Sequence, residues 1–491
     1  MIPLPLLESL GSEQKDALIR ELYALVCRQA ARIVELEAEV QALQGQVQAL
    51  RAQLAKDSRT SSKPPSSDGL KKRPRPQSER GPSGRCPGGQ KGHRGQTLEQ
   101  TDRPDRIIYH RPECCLSCGQ SLVGAPVINE CRRQVFDLPP QALEVTEHRV
   151  QVVCCRHCQR CNAGAFPPGV ERPVQYGERL KALAVYLKDY QLLPYERQRE
   201  LFEDIFGHRL SVASLLKAEQ ACAAELTEPL AAIHQQLVDA PVVGFDETGV
   251  RVEGKLQWWH TARTEQLTAY QVHAKRGAEA LDEIGILPSY RGVAVHDGLS
   301  SYFGYQGCAH ALCNAHHLRE LRFIQEQYGQ AWAGELRVCL RLAHRLKQGR
   351  GPPLTDTLKA RIEQWYDQIL AAGEAELPAD PPCPPGHRGR RRQHPTRNRH
   401  PRLCRYKAET LRFLYDEQVP FDNNGAERDL RMIKTQQKVS GTFRRWNGAQ
   451  RFARIRSYIS TARKQGQRVL EVLRSVFIGR LWMPGTELVA E

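Results

Sequence analysis

The chain has 491 residues, with 71 Lys and Arg against 55 Asp and Glu and a net charge of +16. That length exceeds one ordinary domain, and the charge excess favours a polyanionic partner. No run of roughly 18 apolar residues occurs, so no membrane span is expected.

The opening MIPLPLLESLGSEQ lacks the charged head and long apolar stretch of a secretory signal, so a cytoplasmic location is expected. Thiols stay reduced there, and the 16 cysteines read as metal ligands or core residues rather than disulfides. Residues 26–54 then carry heptads. Val26, Ile33, Val40 and Val47 occupy one seam position, and Leu36, Leu43 and Leu50 the other. β-Branched residues at a with leucine at d favour a parallel two-stranded coiled coil, which would make the chain a homo-oligomer. A basic linker follows. Residues 56–94 hold 11 Lys and Arg and three acids among Ser, Pro and Gly, which suits a mobile arm able to touch a DNA backbone or a plain tether.

Next comes a cysteine-rich module. CCLSC supplies Cys115 and Cys118, and CCRHCQRC supplies Cys155, Cys158 and Cys161. Two Cys-x-x-Cys knuckles offer the four thiolates that a tetrahedral Zn²⁺ prefers. RQVFDLPP and EVTEHRVQVVC between them alternate in polarity and read as strands. Residues 177–235 read as helices. A turn at Gly207 and a cap at Ser211 give the outline of a helix-turn-helix, an outline that simple helical packing also produces.

From Val242 the texture becomes β-rich. VVGFDETGVRV holds an apolar run ending in Asp246, KLQWWHTA and LTAYQVHA follow as β-like segments, and RGVAVHDG gives a second apolar run ending in Asp297. An acid at the end of a buried strand is costly without a partner or a metal. A third acid, Glu427, lies in FDNNGAERDLRMIK. Asn424 reads as the N-cap, which leaves open a capping box in which Glu427 only bonds backbone.

VGFDETG, HDGLSSY, CNAHHLREL and DNNGAERDLRMIK, in this order, resemble the insertion-sequence-sixty-six family of transposases. SSKPPSSD, RQVFDLPP with VTEHR, GAFP and YQLLPYER add to the likeness, which runs over nearly the whole chain. The resemblance implies an α/β, multidomain protein. Its parts would be an N-terminal coiled coil (1–57), a disordered basic linker (58–100), a small β-rich zinc-binding module (101–171) and a helical domain (172–238). An RNase-H-like catalytic core (239–480) with a largely helical insertion at about 326–407 and a short tail (481–491) would follow.

The implied catalytic triad falls on Asp246, Asp297 and Glu427, binding Mg²⁺ or Mn²⁺. The second knuckle falls on Cys155 and Cys158, with Cys161 a spare, and the doubled cysteines at 114/115 and 154/155 leave the choice open. Cys313 and His316 resemble a Cys-x-x-His feature of several such cores, readable as a ligand pair or as ordinary packing. The gap from Asp297 to Glu427 is 427 − 297 = 130 residues, which calls for an insertion. Residues 387–407 inside it carry eight Arg and no acid, the composition of a phosphate-contacting loop. Arg428, Arg431, Lys434, Arg444 and Arg445 suggest a further basic face.

The expected activity is DNA cleavage and strand transfer by two-metal phosphoryl transfer, with terminal inverted repeats, target DNA and accessory proteins of the same element as partners. A zinc-dependent DNA-binding regulator without catalysis, or an RNase-H-like nuclease without strand transfer, would share many of these features.

Overall fold

A computed structural model describes residues 11–55, 92, 98–349, 354–379 and 393–487. Most of the basic linker, with its SSKPPSSD motif, and residues 380–392 of the arginine-rich stretch lie outside the described residues. The chain divides into two compact units. One comprises Met1–Gly69, Pro167–Glu200 and Leu210–Glu491; the other Leu70–Phe166 and Leu201–Arg209.

The first helix, α1 (Ser12–Ala55), is a single rod of 44 residues. Its seam residues Val26, Ile33, Leu36, Val40, Leu43, Val47 and Leu50 are 43–60% exposed, so the heptad stripe is left uncovered by the described residues. Near its end Gln48 donates from its side chain to the backbone of Gln327, at 3.4 Å.

The cysteine-rich module has two short antiparallel strands, β1 (Val152–Cys154) and β2 (Cys161–Ala163). RQVFDLPP is not a strand, and EVTEHRVQVVC reaches strand geometry only at its last three residues. Val135 and Leu138 are 91% and 83% exposed, so alternation without a pairing partner or a buried face forms no ladder.

The helical segment holds α2 (Glu178–Val185), a π-helical turn (Tyr186–Tyr190), α3 (Tyr195–Phe206), α4 (Val212–Glu225) and α5 (Thr227–Val238). Ser211 caps α4 as its sequence suggests, accepting from Ser214 N–H at 3.0 Å. α4 buries Ala218, Cys222 and Ala223 against Ile455, Tyr458, Val472 and Leu473, so it shares a core with the end of the chain.

The central sheet follows: β3 (Val242–Val252), β4 (Lys255–Arg263) and β5 (Thr268–His273), then α6 (Ala278–Ile284), α7 (Ile286–Ser289), β6 (Val293–His296) and β7 (Ala309–Leu312). The spatial order is β5-β4-β3-β6-β7. The first three strands are antiparallel neighbours, whereas β6 and β7 run parallel to β3. The α6–α7 crossover makes this possible, since parallel neighbours need a long connection. The edge strand β5 is not left bare: Ser457 and Thr461 hydroxyls accept from the N–H groups of Tyr270 and Thr268 at 2.8 and 3.1 Å.

Helices complete the chain: α8 (Asn314–Tyr328), α9 (Ala331–Gln348), α10 (Asp356–Ala375), α11 (Pro395–Arg405), α12 (Lys407–Tyr415), α13 (Asn424–Ser440), α14 (Trp446–Lys464) and α15 (Val469–Phe477). The expected arginine-rich loop is thus partly helix α11. Trp332, Leu336, Tyr366, Leu403 and Phe413 bind α8 to α12 into one core that reaches Val295 and Ala311 of the sheet. One sheet face packs Val243 and Phe245 against Ile233, Leu237, Ile286 and Leu287. The other packs Val250 and Val252 against Leu430, Ile433 and Phe452. Among the described residues no helix is long and apolar enough to cross a membrane.

His260 on β4 is buried, with Nε2 3.1 Å from the Lys275 carbonyl. Burial is the main cause that lowers its pKa from 6.5 to about 4. The folded state therefore holds it neutral. This contribution to stability is complete above pH 6.5 and is lost as pH falls from 6.5 towards 4. Melting curves should show His260→Gln losing less stability than the parent across that window, by up to about 3 kcal/mol. Parallel slopes for the two proteins would refute the assignment.

Candidate functional site

Asp246 lies in mid-strand, not at a strand end: β3 continues to Val252. Side chains alternate faces along a strand. Asp246 therefore shares its face with Val250 and Val252, the face covered by α13, whereas Glu247 points with Phe245 to the opposite side. Asp297 does follow directly on the end of β6. The last parallel pair is Gly244 with Val295, and each acid lies two residues beyond its member of that pair. The two aspartates thus stand level on neighbouring strands.

Glu427 approaches from α13. The N-cap of that helix is Asn423, one residue earlier than the sequence suggests. Glu427 is then the fourth helical residue, with Ala426 at the position a capping box requires, and the Asn423 side chain makes no cap bond. Asn423 instead donates from Nδ2 to the Phe245 carbonyl at 2.7 Å and from its backbone N–H to Cys313 Sγ at 3.1 Å. These bonds tie the start of α13 to β3 and to the end of β7. The Glu427 carboxylate accepts from Arg319 at 2.7 Å, and His316 Nε2 lies 3.5 Å from the same oxygen.

The acids feel one another. Burial raises the Asp246 pKa well above the ordinary 3.8, and Glu247, Asp297 and Glu427 push it further up. Among the described residues one bond to its carboxylate opposes this, from the Glu247 N–H at 2.9 Å. Asp297 accepts from the Leu299 N–H at 3.0 Å. The site around Asp246 therefore favours a cation, which would offset the cost of ionising that buried acid. Its donors are carboxylate oxygens, the set that suits Mg²⁺ or Mn²⁺.

Several residues around the site escape a sequence reading. Glu247 is buried and neutralised on the far face, by Arg276 at 2.7 Å and the Tyr302 hydroxyl at 2.6 Å. Only the alternation of β3 separates its role from that of Asp246. Arg319 stands one turn beyond Cys313-Asn-Ala-His316, a spacing that places His316 and Arg319 on one side of α8. Arg399 pairs with Glu320, and burial lowers its pKa to about 9 while Asp297 pulls it up. Arg402 donates to the Gly298 carbonyl at 2.8 Å. These arginines of the expected phosphate-contacting stretch are therefore engaged inside the fold, with Glu320 as a counter-charge that the local sequence does not contain. Lys434 likewise turns inward to the Gly249 carbonyl, leaving Arg428, Arg431, Arg444 and Arg445 exposed.

Cys313 is buried and N-caps α8, and burial pushes its thiol up to about 12. Burial, then Arg319, lowers the His316 pKa. Cys313 Sγ, a His316 ring nitrogen and a Glu427 oxygen lie within 4.8 Å of one another. Among the described residues no other group of three or more such ligand atoms is that close.

In the cysteine module the two knuckles repeat one geometry. Cys115 N–H donates to the Gln120 carbonyl and Gly119 N–H to the Cys115 carbonyl; Cys155 with Arg160, and Gln159 with Cys155, form the same pair of bonds, all at 2.8–2.9 Å. Gly119 and Gln159 both take left-handed backbone, with φ of 73° and 55°. The Cys118 and Ser117 backbone lowers the Cys115 pKa, and the Cys158 and His157 backbone does the same for Cys155. Cys115 and Cys155 thus hold equivalent positions in the two knuckles. The two pairs are not gathered into one four-thiolate cluster.

Cys154 and Cys161 bring their sulfur atoms side by side in the second knuckle. The β1–β2 ladder sets them directly opposite, with Cα atoms 4.0 Å apart. Cys114 and Ser121 face each other in the same way in the first knuckle, as an antiparallel backbone pair.

Residues 2–99 match a family of unknown function, DUF6444. A search of the curated proteins finds no match. The profile of the Transposase IS66 family matches residues 173–451, more than half of the chain and a span that includes Asp246, Asp297, Glu427 and the Cys313–His316 pair. This chain belongs to the IS66 family of transposases, and its function lies in transposition.

Proposed function

We propose that the chain cleaves and joins DNA at the ends of an insertion sequence, using divalent ions held by Asp246, Asp297 and Glu427 in an RNase-H-like core. The observation that carries the reading is the level placement of the two aspartates on adjacent parallel strands, with Glu427 on α13 close enough to act on Asp246. When bound, Mg²⁺ or Mn²⁺ would supply charge neutralisation at phosphorus and an activated oxygen nucleophile. Arg319 balances the Glu427 charge in the metal-free fold. Exposed Arg428, Arg431, Arg444 and Arg445 offer contacts to DNA phosphates.

Full-length protein incubated with duplexes bearing the terminal inverted repeats tests this. Nicked and joined products that require Mg²⁺ or Mn²⁺ support it. Binding without cleavage in either metal would make the chain a DNA-binding regulator, and cleavage without joining would make it a nuclease.

Zinc at Cys115, Cys118, Cys155 and Cys158 is a further part of the proposal, supported by the matching knuckles, which the ion would draw together. Replacing Cys115 and Cys155 together by Ser should lower the zinc content of the purified chain by about one equivalent, the content of one four-thiolate site. Unchanged zinc would refute it.

The α1 seam is proposed as a homodimer contact that helps bring two DNA ends together. Leu43→Pro should break the helix at a cost of about 3 kcal/mol or more. Sedimentation should then give a monomer, and paired-end binding should fall more than single-end binding. A mutant that stays dimeric would remove the seam from the assembly.

A further inference from the structure

We propose that Cys313, His316 and Glu427 form a second metal site, selective for a borderline ion such as Zn²⁺, and that filling it withdraws Glu427 from the two aspartates. The second half rests on the catalytic reading above; metal binding itself does not. One sulfur, one imidazole nitrogen and one carboxylate oxygen lie within 4.8 Å of one another, close enough to share one ion. Such a mixed set prefers Zn²⁺ to Mg²⁺, because thiolate and imidazole are softer ligands than oxygen.

The surroundings also fit. Cys313 caps the 15-residue helix α8, whose N-terminus favours negative charge on sulfur. The Asn423 N–H already points at Sγ from 3.1 Å, the kind of bond that supports a ligated thiolate. His316 Nδ1 is buried and finds no hydrogen-bond partner among the described residues. Arg319 meanwhile puts a cation against the Glu427 oxygen that His316 faces. On binding, a metal–sulfur bond replaces the Cys313 S–H bond, the proton leaves to solvent, and Arg319 gives up its place beside Glu427. Glu427 has one carboxylate to share between this ion and the ions of the aspartate pair. Zinc would therefore act as an inhibitor.

The test titrates Co²⁺, a spectroscopic stand-in for zinc, into metal-free full-length protein, and compares it with Cys313→Ser and His316→Gln. Each variant should bind about one equivalent fewer than the parent, with loss of the corresponding part of the thiolate charge-transfer band. Should Cys313→Ser fail to fold by circular dichroism, His316→Gln decides the matter. Equal stoichiometry in parent and His316→Gln overturns the site.

A second arm measures Mg²⁺-supported cleavage with and without added Zn²⁺, as a ratio within each protein. The parent should lose most of its cleavage and His316→Gln should lose less. Binding without inhibition would overturn the competition for Glu427. A parent that does not cleave even in zinc-free Mg²⁺ would refute the catalytic reading and leave the binding result standing.

Discussion

Asp246→Asn, Asp297→Asn and Glu427→Gln should each lower Mg²⁺-dependent cleavage about a thousandfold, the loss of roughly 4 kcal/mol of transition-state stabilisation. Retained DNA binding would show that the fold survives. Asp246→Asn carries a second, opposite expectation. The Asp246 pKa is raised above 3.8 in the fold, first by burial and then by neighbouring acids. The metal-free fold therefore favours the protonated acid. Its penalty on stability is absent at low pH and grows as pH rises above 3.8. At neutral pH in chelator, Asp246→Asn should melt at a higher temperature than the parent. Mg²⁺ should narrow the gap by stabilising the parent. A variant that is both inactive and less stable in chelator would mean that Asp246 serves the fold.

Gly292→Ala should be among the most damaging single changes away from the acids. A Cβ there would stand 2.5 Å from the Pro241 carbonyl oxygen, 2.5 Å from the Tyr290 hydroxyl and 2.7 Å from the Ala240 carbonyl oxygen. Two of these atoms are backbone and cannot swing aside. Val293 N–H donates to Pro241 at 2.8 Å, and the Gly292 carbonyl accepts from Ala309 at 2.9 Å, so Gly292 is held between β3 and β7. A methyl group must push β6 away from β3, at a cost of about 1–3 kcal/mol or more. That same pairing sets Asp297 level with Asp246. Cleavage should fall about a hundredfold, as for other small misplacements of reacting groups. Thermal melting and single-turnover cleavage measure the two effects. A variant with unchanged melting and unchanged rate would show that the strands yield freely.

Much of this was legible from local pattern. Asp297 at the end of a strand, the cap at Ser211, the β4 and β5 segments and the heptads of α1 all rest on residues close in sequence. β7 was missed, because the four residues Ala309–Leu312 are too short to show a period. The run of β3 past Asp246 was misjudged because its later residues mix polar and apolar types. Its pairing with β4 extends the strand to Val252. The cap of α13 shifted to Asn423 because the Asn423 side chain serves β3 instead of its own helix. The inward turn of Arg399 depends on a partner, Glu320, that no local pattern names. Exposure undid RQVFDLPP, since alternation predicts a strand only where one face finds cover.

The helices between β7 and α13 leave the sheet and return to the place they left. Asn314 N–H donates to the Phe421 carbonyl at 3.1 Å, and the next contact joins Asn423 to Cys313. Departure and arrival are stapled together. The length of chain in between is consequently a free variable for the geometry of the acids. Residues could be added to or taken from the outer turns of this excursion without moving Glu427 relative to Asp246. A count of residues between the second and third acid is therefore a poor guide to whether a chain keeps such a site. The hydrogen bonds at the neck, from Asn314 and Asn423, are the better one.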